Sequence, residues 1–411
     1  MTDTIRSHQY PNGLILAAES MDWLESASVS FYVPAGCVYD PKDRGGLASF
    51  TCEMALRGAG PYSSRDFIET LEMLGAEHHE MVGKSHVLFG ASTIANNLQE
   101  VIAVLTEVVR RPHLPKRELE ASRLGAIQEL CAVEDEPSQK LMLELRRCHY
   151  PWAWGRPSIG DEPSAVKTTL GDIKKFHATN YRPNGMIVGV AGRFDWDRLV
   201  EDIGSQLGDW QPKDEPTVEP GPRGPQRLHL DMESAQTQIG IGYASVPVSH
   251  PDYLPAWAGM AVLSDGASAR LFTEVREKRG LCYSIGAGYH SLLDQAAVFC
   301  HAGTTADRAQ ETLDVTLEEL DKLKHGVKPD ELDRLKARVK SALVMQQESS
   351  SGRASSIARD WVHLGRIRSL EEIQTLVEGL TLERLNGYLA DNPPRDFTIA
   401  AMGPKKLETS E

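Results

Sequence analysis

The sequence predicts an α+β protein of two homologous halves, each an antiparallel-rich sheet with helices packed on one face, which together enclose a cleft or chamber. Three observations support this prediction. A proline-rich segment divides the chain near its middle, two sequence patterns recur on either side of it, and each half mixes apolar strand-like runs with long helices. Two related halves explain a repeat at nearly constant offset better than two unrelated domains do.

The dividing segment is Gln211 to Gln226, QPKDEPTVEPGPRGPQ, which contains five prolines. Proline lacks the backbone N–H that a helix interior or a central strand requires, so this segment forms neither. It predicts a linker over 211–226, between an N-terminal half at 1–210 and a C-terminal half at 227–411.

Two pairs of segments show the repeat. The helix pattern LPKRELEASRLGAIQEL, Leu114 to Leu130, returns as VKPDELDRLKARVKSAL, Val327 to Leu343, at an offset of about 213 residues. Thr168 to Gly192 and Leu380 to Gly403 each predict a short helix, a proline turn and an apolar strand ending in glycine, at an offset of about 211 residues. The predicted strands between these segments include 27–34, 86–92, 238–246 and 296–303.

Composition excludes several classes of function. A net charge of −14 and a pI near 5.5 argue against nucleic acid or an anionic membrane as partner, because both select a basic surface. The N-terminus lacks the pattern of a signal or transit peptide, and no apolar run approaches the ~18 residues of a membrane-spanning helix. The six cysteines show no CxxC pair, which favours free thiols in a reducing compartment. We therefore expect a cytoplasmic protein.

The segment Arg270 to Tyr289, RLFTEVREKRGLCYSIGAGY, predicts a helix that starts near Ala267, ends at a left-handed Gly280 and leads into a strand. The tight turn brings Arg276, on the last helical turn, close to Tyr283 at the start of the strand. A guanidinium beside a phenol suits the binding of a carbonyl or a developing oxyanion. The spacing alone also fits an arginine that only stacks on a tyrosine.

In the first half, GGLASFTCEMALRGAG predicts a helix on which Ser49, Cys52 and Glu53 share one face. The frame G-L-A-x-F-x-x-x-M, with the R-G after it and LEMLGA at Leu71 to Ala76, resembles the inverted zinc motif of the pitrilysin or insulinase peptidases, which include the mitochondrial processing peptidase. The resemblance continues through much of the chain and places Glu129 where the family has a third metal ligand.

The family motif is H-x-x-E-H, whose two imidazoles hold zinc with a distant glutamate while the inner glutamate activates water. Ser49, Cys52 and Glu53 occupy these positions here, so both imidazoles and the inner carboxylate are missing. We expect no metal and no cofactor in this chain, although an irregular site of Cys52, Glu53 and Glu129 stays an alternative. A second candidate for a metal site is the histidine cluster His78, His79 and His86. This cluster has no carboxylate at a metal-like spacing.

The second half keeps the family's other pattern, L-F-x-x-x-R-x-x-x-G-L-x-Y, without a break from Leu271 to Tyr283. The resemblance implies that Arg276 and Tyr283 bind the substrate backbone and stabilise the tetrahedral intermediate. Family members of about this length often work as two-chain assemblies in which one chain holds zinc and the other supplies this Arg/Tyr pair.

The resemblance thus implies a non-catalytic subunit of a heterodimeric zinc metallopeptidase that degrades peptides. The partner is expected to be a homologous chain that carries the zinc, and unfolded peptides are the expected substrates. Neither nucleic acid nor membrane is an expected partner, and the isolated chain is expected to be able to form a homodimer. Two alternatives stay open: a catalytically dead scaffold, like the core subunits of the respiratory cytochrome complex, and a stand-alone metallopeptidase with an irregular metal site.

Overall fold

The computed structural model of the protein describes residues 4–219 and 221–408. The predicted domain bounds also include residues 1–3, 220 and 409–411, which lie outside the described residues. Helices alternate with strands throughout, and most strand pairs are antiparallel. The α+β class is therefore confirmed.

The first half contains eight strands and eight helices among its described residues. The strands are β1 Ile5–Gln9, β2 Ile15–Ser20, β3 Ser26–Val33, β4 Gly58–Ala59, β5 Tyr62–Ser63, β6 Glu77–Val82, β7 Val87–Ile94 and β8 Ile187–Gly192. The helices are α1 Leu47–Ala55, α2 Ser64–Met73, α3 Leu98–Arg110, α4 Leu119–Glu134, α5 Pro137–His149, α6 Glu162–Lys167, α7 Leu170–Asn180 and α8 Trp196–Leu207.

The second half repeats much of this order. Its strands are β9 Arg227–Asp231, β10 Gln236–Ser245, β11 Cys282–Ser291, β12 Ala296–Thr305 and β13 Thr398–Gly403. Its helices are α9 Tyr253–Ser264, a π-helix at Phe272–Glu277, α10 Ala309–Asp321, α11 Pro329–Gln346, α12 Ser350–Leu364, α13 Leu370–Glu378 and α14 Leu382–Asp391. Short 3₁₀ turns lie at Cys37–Tyr39, Ala95–Asn97, Lys116–Glu118 and Lys322–His325.

The two sheets have the same topology. The first runs β1-β2-β8-β3-β7-β6 and the second runs β9-β13-β10-β12-β11. In each sheet one pair is parallel, β2 with β8 and β9 with β13, and the pairs that follow are antiparallel. Apart from the additional strand β1, strand order and direction match one to one, which confirms two homologous halves.

One face of each sheet packs against several helices of its own half, and the large hydrophobic core of that half lies between them. The structure adds that the other face of each sheet is also covered, in each case by one helix. Helix α12 lies on β8, β3 and β2 of the first sheet, and helix α5 lies on β10 and β13 of the second. These two helices hold the same place in the repeat, since each follows the long helix α4 or α11.

The compact units of the structure consequently differ from the contiguous halves 1–210 and 227–411. One unit comprises Met1–Cys131, Arg156–Glu219 and Val344–Ser369, and the other comprises Ala132–Gly155, Pro220–Leu343 and Leu370–Glu411. The sequences of α5 and α12 do not reveal which sheet each helix covers. An amphipathic helix could pack on either sheet.

The proline-rich segment contains no helix or strand in its described residues, 211–219 and 221–226. It is nevertheless held by hydrogen bonds. The Lys213 ammonium donates to the carbonyls of Ala178 and Tyr181 at 2.7 and 2.8 Å, and the Trp152 amide donates to the Pro222 carbonyl at 3.0 Å. The described residues on each side of position 220 are thus each held by a contact with another part of the chain.

Small residues allow α12 to approach the first sheet closely. A Cβ on Gly189 of β8 would lie 2.5 Å from the Ala354 carbonyl oxygen and 3.0 Å from the Ala358 Cβ. Beside this contact the hydroxyls of Ser28 and Ser350 are 2.8 Å apart. Close packing of this kind tolerates little added volume.

We predict that Gly189→Ala destabilises the protein by about 1–3 kcal/mol, because the added methyl group must displace α12 from the sheet. The matched control is Gly387→Ala on α14, where a Cβ meets no atom within 4 Å. That change should be neutral or stabilising by up to about 1 kcal/mol. Urea unfolding of both variants measures the difference, and equal midpoints would contradict the described packing of α12.

Among the described residues, no helix is both long enough and apolar enough to cross a membrane.

Candidate functional site

The chain around Arg276 winds differently from the predicted helix. Residues Phe272–Glu277 form a π-helix, in which the Lys278 amide bonds to the Thr273 carbonyl at 3.0 Å, five residues back. Periodicity in the sequence cannot separate this winding from an α-helix over a single turn, which is why an ordinary helix was expected. Gly280 ends the turn with φ of +58°, as predicted. Isolated π-helical turns are frequent at functional sites.

The structure brings the two predicted site residues together. The Arg276 guanidinium carbon lies 5.7 Å from the centre of the Tyr283 ring and 4.8 Å from the centre of the Phe272 ring. Tyr283 is 83% exposed, so its phenol projects from the protein surface. The guanidinium is therefore held between two aromatic rings by cation–π attraction, which limits its conformational freedom.

Tyr283 occupies a β-bulge at the start of β11. Cys282 pairs with Thr304 and Ser284 pairs with Gly303, so two residues of β12 face three residues of β11 and Tyr283 is the additional one. β12 is the one strand neighbour of β11 in the described sheet. A bulge on an edge strand redirects the side chain of its extra residue, which here leaves the phenol beside Arg276.

The turn between Arg276 and Tyr283 accepts side-chain hydrogen bonds at three of its carbonyl groups. Arg308 donates to the carbonyls of Gly280 and Arg279 at 2.8 and 3.1 Å. Thr304 donates to the carbonyl of Leu281 at 2.6 Å. Three consecutive carbonyl groups are thus satisfied by residues that sequence reasoning missed. Thr304 reaches the turn through the β11–β12 register and Arg308 through the segment after β12, and no local motif encodes either contact.

Arg276 differs from the cations next to it in having a free guanidinium edge. Lys278 and Arg279 both pair with Glu274, at 2.6 and 3.3 Å. No ion pair within the described part of the chain includes Arg276. Its N–H groups are consequently available to a ligand, as the binding of a carbonyl requires.

The structure also brings together part of the degenerate metal motif in the first half. Ser49, Glu53 and Glu129 line one pocket of about 110 Å³ on helices α1 and α4. Ser49 donates to the Ser158 carbonyl at 2.7 Å, and Glu53 pairs with Arg57 at 2.5 Å. These polar groups therefore already have protein partners.

Helix α1, which carries this motif, begins on a buried carboxylate. Asp40 accepts hydrogen bonds from the amides of Gly46 and Ala48, both at 2.8 Å. Burial raises the pKa of Asp40 to about 7, although these amides and the Arg156 guanidinium oppose the shift. The Asp40 carboxylate thereby holds the first turn of α1 in place.

Cys52 does not line this pocket, because the residue is buried and only 2% exposed. Burial, together with the negative charges of Glu80 and Glu53, raises the pKa of its thiol far above neutral pH. A thiol in this state is neither a general base nor a ready metal ligand.

The histidines of the first half do not converge either. His78 packs edge-on against Phe67 with ring centres 5.7 Å apart, whereas His79 lies over Gly90. His86 contacts Ser85 and Gly185, and burial lowers its pKa to about 4. Within residues 4–219 and 221–408, no group of three or more His, Cys, Asp or Glu side chains is arranged to hold a metal ion.

Comparison with protein families covers both halves. Residues 16–150 match the model of insulinase, peptidase family M16, and residues 167–339 match the model of the peptidase M16 inactive domain. The chain belongs to the insulinase family of peptidases. The resemblance inferred from the sequence is thereby confirmed.

Relatives of this insulinase-family chain match it over nearly its full length. The uncharacterized zinc protease YmxG of Bacillus subtilis is 23% identical over 403 residues, covering 97% of this chain and 98% of that protein. A solved peptidase M16 inactive domain from Pseudomonas fluorescens has a TM-score of 0.89 at 20% identity, covering 99% of this chain and 100% of that chain. A chain of complex III2 from Candida albicans has a TM-score of 0.81 at 18% identity, covering 97% and 96%. These two structures show the shared fold.

The residues of the first half do not fit the zinc implied by the family. A catalytic zinc site needs three protein ligands, normally including imidazoles, and leaves one position open. Ser49 and Glu53 stand where the imidazoles belong, one bonded to a carbonyl and the other paired with Arg57. Only Glu129 retains the family's ligand type.

We predict that Ser49→His with Glu53→His creates a zinc site, because these positions and Glu129 already line one pocket. Zinc per chain, measured after dialysis, should rise from near zero to about one. Adding Glu129→Gln to the double variant is the control and should lower the zinc content. A double variant with no more zinc than the wild type would show that the backbone of the site has also diverged.

We predict that a thiol reagent modifies about one cysteine of the folded protein, Cys131, because it is the exposed thiol. Burial raises the pKa of Cys37 to about 11 and that of Cys300 to about 12, so both stay protonated at pH 8. Cys131→Ser should abolish the fast reaction, while unfolding should expose the remaining thiols. Rapid native modification of Cys52 would contradict its described burial.

Proposed function

We propose that this chain is one subunit of a heterodimeric insulinase-family metallopeptidase and supplies Arg276 and Tyr283 to an active site whose zinc belongs to a homologous partner. The observation that carries the proposal is the contrast between the halves. The second half presents an exposed phenol beside a guanidinium that forms no ion pair with the described residues, whereas Ser49 and Glu53 stand at the family's metal positions in the first half.

The two side chains suit different parts of a peptide. The Arg276 guanidinium has a planar set of N–H donors that can hold a substrate carbonyl through two hydrogen bonds. The Tyr283 hydroxyl can donate to the oxygen on which negative charge develops as water adds to the scissile carbonyl. The partner's metal would polarise that carbonyl and activate the water.

Rigid placement supports this role. The Arg276 side chain is flanked by Phe272 and Tyr283, and the turn between them is bonded to Arg308 and Thr304. Donors that are fixed before the substrate arrives stabilise a transition state without reorganising, which is the basis of their catalytic effect. An arginine and a tyrosine that stack on an unused surface need no such support.

The proposed substrates are unfolded peptides and the proposed location is the cytoplasm. An extended peptide can add to a free sheet edge through its main chain, so one backbone pairing mode can serve many sequences. The described edge strand β11 begins at the Arg276/Tyr283 pair, which is where such a peptide would meet it.

We predict that Tyr283→Phe, in the assembled pair, lowers kcat about 100-fold, the usual effect of removing one oxyanion donor. Stability should be unchanged, because the side chain is exposed. Tyr62→Phe in the first half is a matched control and should keep wild-type kinetics. A wild-type kcat for Tyr283→Phe would disprove the assigned role.

The mixing experiment tests the proposal as a whole. The purified chain is assayed for zinc and peptidase activity alone and then with each zinc-bearing homologue of the same organism. Activity that appears only on mixing supports the proposal. A stable complex without activity would indicate the scaffold alternative, and near-stoichiometric zinc with activity alone would indicate a stand-alone peptidase.

A further inference from the structure

A cleft of about 260 Å³, with several polar side chains in its walls, includes Tyr283 in its lining. Its walls come from β10, β11, β12 and the start of the segment that leads to α10. Gln236 pairs with Thr305, and Gln238 pairs with Gly303, so these residues point to one face of the sheet. The polar side chains that line the cleft are those of Gln236, Gln238, Tyr283, Ser284, Thr304, Thr305 and Arg308.

The depth of the cleft depends on Gly303. A Cβ at this position would lie 3.1 Å from both the Gln238 side-chain oxygen and the Ser284 hydroxyl. The missing side chain therefore leaves the space that the neighbouring polar groups surround. The cleft is a surface concavity of the size of an amino-acid side chain, next to the proposed substrate backbone site.

The cleft contains N–H donors from two amides and one guanidinium, those of Gln236, Gln238 and Arg308. The Gln238 side-chain oxygen lies 2.9 Å from His301 Nε2, so its NH₂ group faces the other way, toward Gln236. Arg308 adds a positive charge at one wall, and its described acidic neighbour, Glu311, is 3.5 Å away and largely exposed. None of the residues that line the cleft is an aspartate or a glutamate.

This composition contrasts with the chain as a whole, which carries a net charge of −14. A basic side chain in the cleft would meet a cation and no anion. An apolar side chain would gain nothing from the charge of Arg308 or from the amide groups of Gln236 and Gln238. A carboxylate would accept hydrogen bonds from the amides and gain from the charge of Arg308.

We propose that this cleft is a specificity subsite that binds a carboxylate of the peptide substrate. The inference rests on the proposed peptide-binding role of Arg276 and Tyr283 and adds the class of side chain that the site selects. The carboxylate has two sources, an acidic side chain within the peptide or the free carboxyl group at its end. Both present the same acceptor atoms.

The test measures binding of fluorescent peptides to the purified full chain by anisotropy. Peptides with blocked ends differ at one position, Glu, Gln or Lys, and a further peptide has a free C-terminus but no acidic side chain. We expect the Glu peptide to bind about fivefold to tenfold more tightly than the Lys peptide, with an advantage that falls as salt is added. Equally tight binding of the free-terminus peptide would identify the chain end as the source.

Adding a negative charge to the wall of the cleft makes the test specific to the cleft. Gln236→Glu places an anion on an exposed wall, so it should weaken binding of the Glu peptide about tenfold and strengthen binding of the Lys peptide. Gln374→Glu on α13, away from the cleft, is the matched control and should change neither affinity. Unchanged preference in Gln236→Glu, or no measurable binding of any peptide to the wild-type chain, would overturn the inference.

The two proposals fail in distinguishable ways. If Tyr283→Phe lowers kcat in the assembled pair but Gln236→Glu leaves peptide preference unchanged, the active-site role holds and the subsite does not. If no partner confers activity but the isolated chain shows the predicted preference, the subsite holds without the peptidase role.

Discussion

Each sheet of this protein has two apolar faces, and the helices of its own half cover only one of them. The first sheet buries Ile15 and Ile187 against α12, and the second buries Ala400 and Met402 against α5. Without these helices, a continuous apolar surface on each sheet would meet water. Each half therefore supplies one helix to the sheet of the other half: α12 covers the first sheet and α5 covers the second. Both compact units depend on this exchange.

Inside this framework, the three residues that the family resemblance aligns with the metal motif all make contacts within the protein. Ser49 donates a hydrogen bond to the Ser158 carbonyl, and Cys52 is buried in the core. Glu53 forms an ion pair with Arg57, four residues further along the chain. Helix α1 and Glu129 together line a pocket of about 110 Å³.

The sequence was most informative where a physical requirement is local. Gly280 was predictable because a left-handed turn excludes most side chains, and the approach of Arg276 to Tyr283 followed from that turn. The repeat also predicted matching halves, since equal patterns at one offset need equal topology. The π-helical winding, the bulge at Tyr283 and the support from Arg308 depend on contacts between distant segments. No pattern of neighbouring residues encodes these contacts, nor does it show that α5 and α12 exchange places.

The exchange also sets an order of events during synthesis. Ser28 of the first sheet bonds to Ser350 at a sequence separation of 322 residues, so the cover of that sheet leaves the ribosome long after the strands themselves. Helix α5, by contrast, is made before the second sheet that it covers. The nascent first unit must therefore wait with one apolar face uncovered, a state that invites aggregation and engagement by chaperones. Maturation of this protein is in this sense asymmetric, although its two main sheets share one strand order.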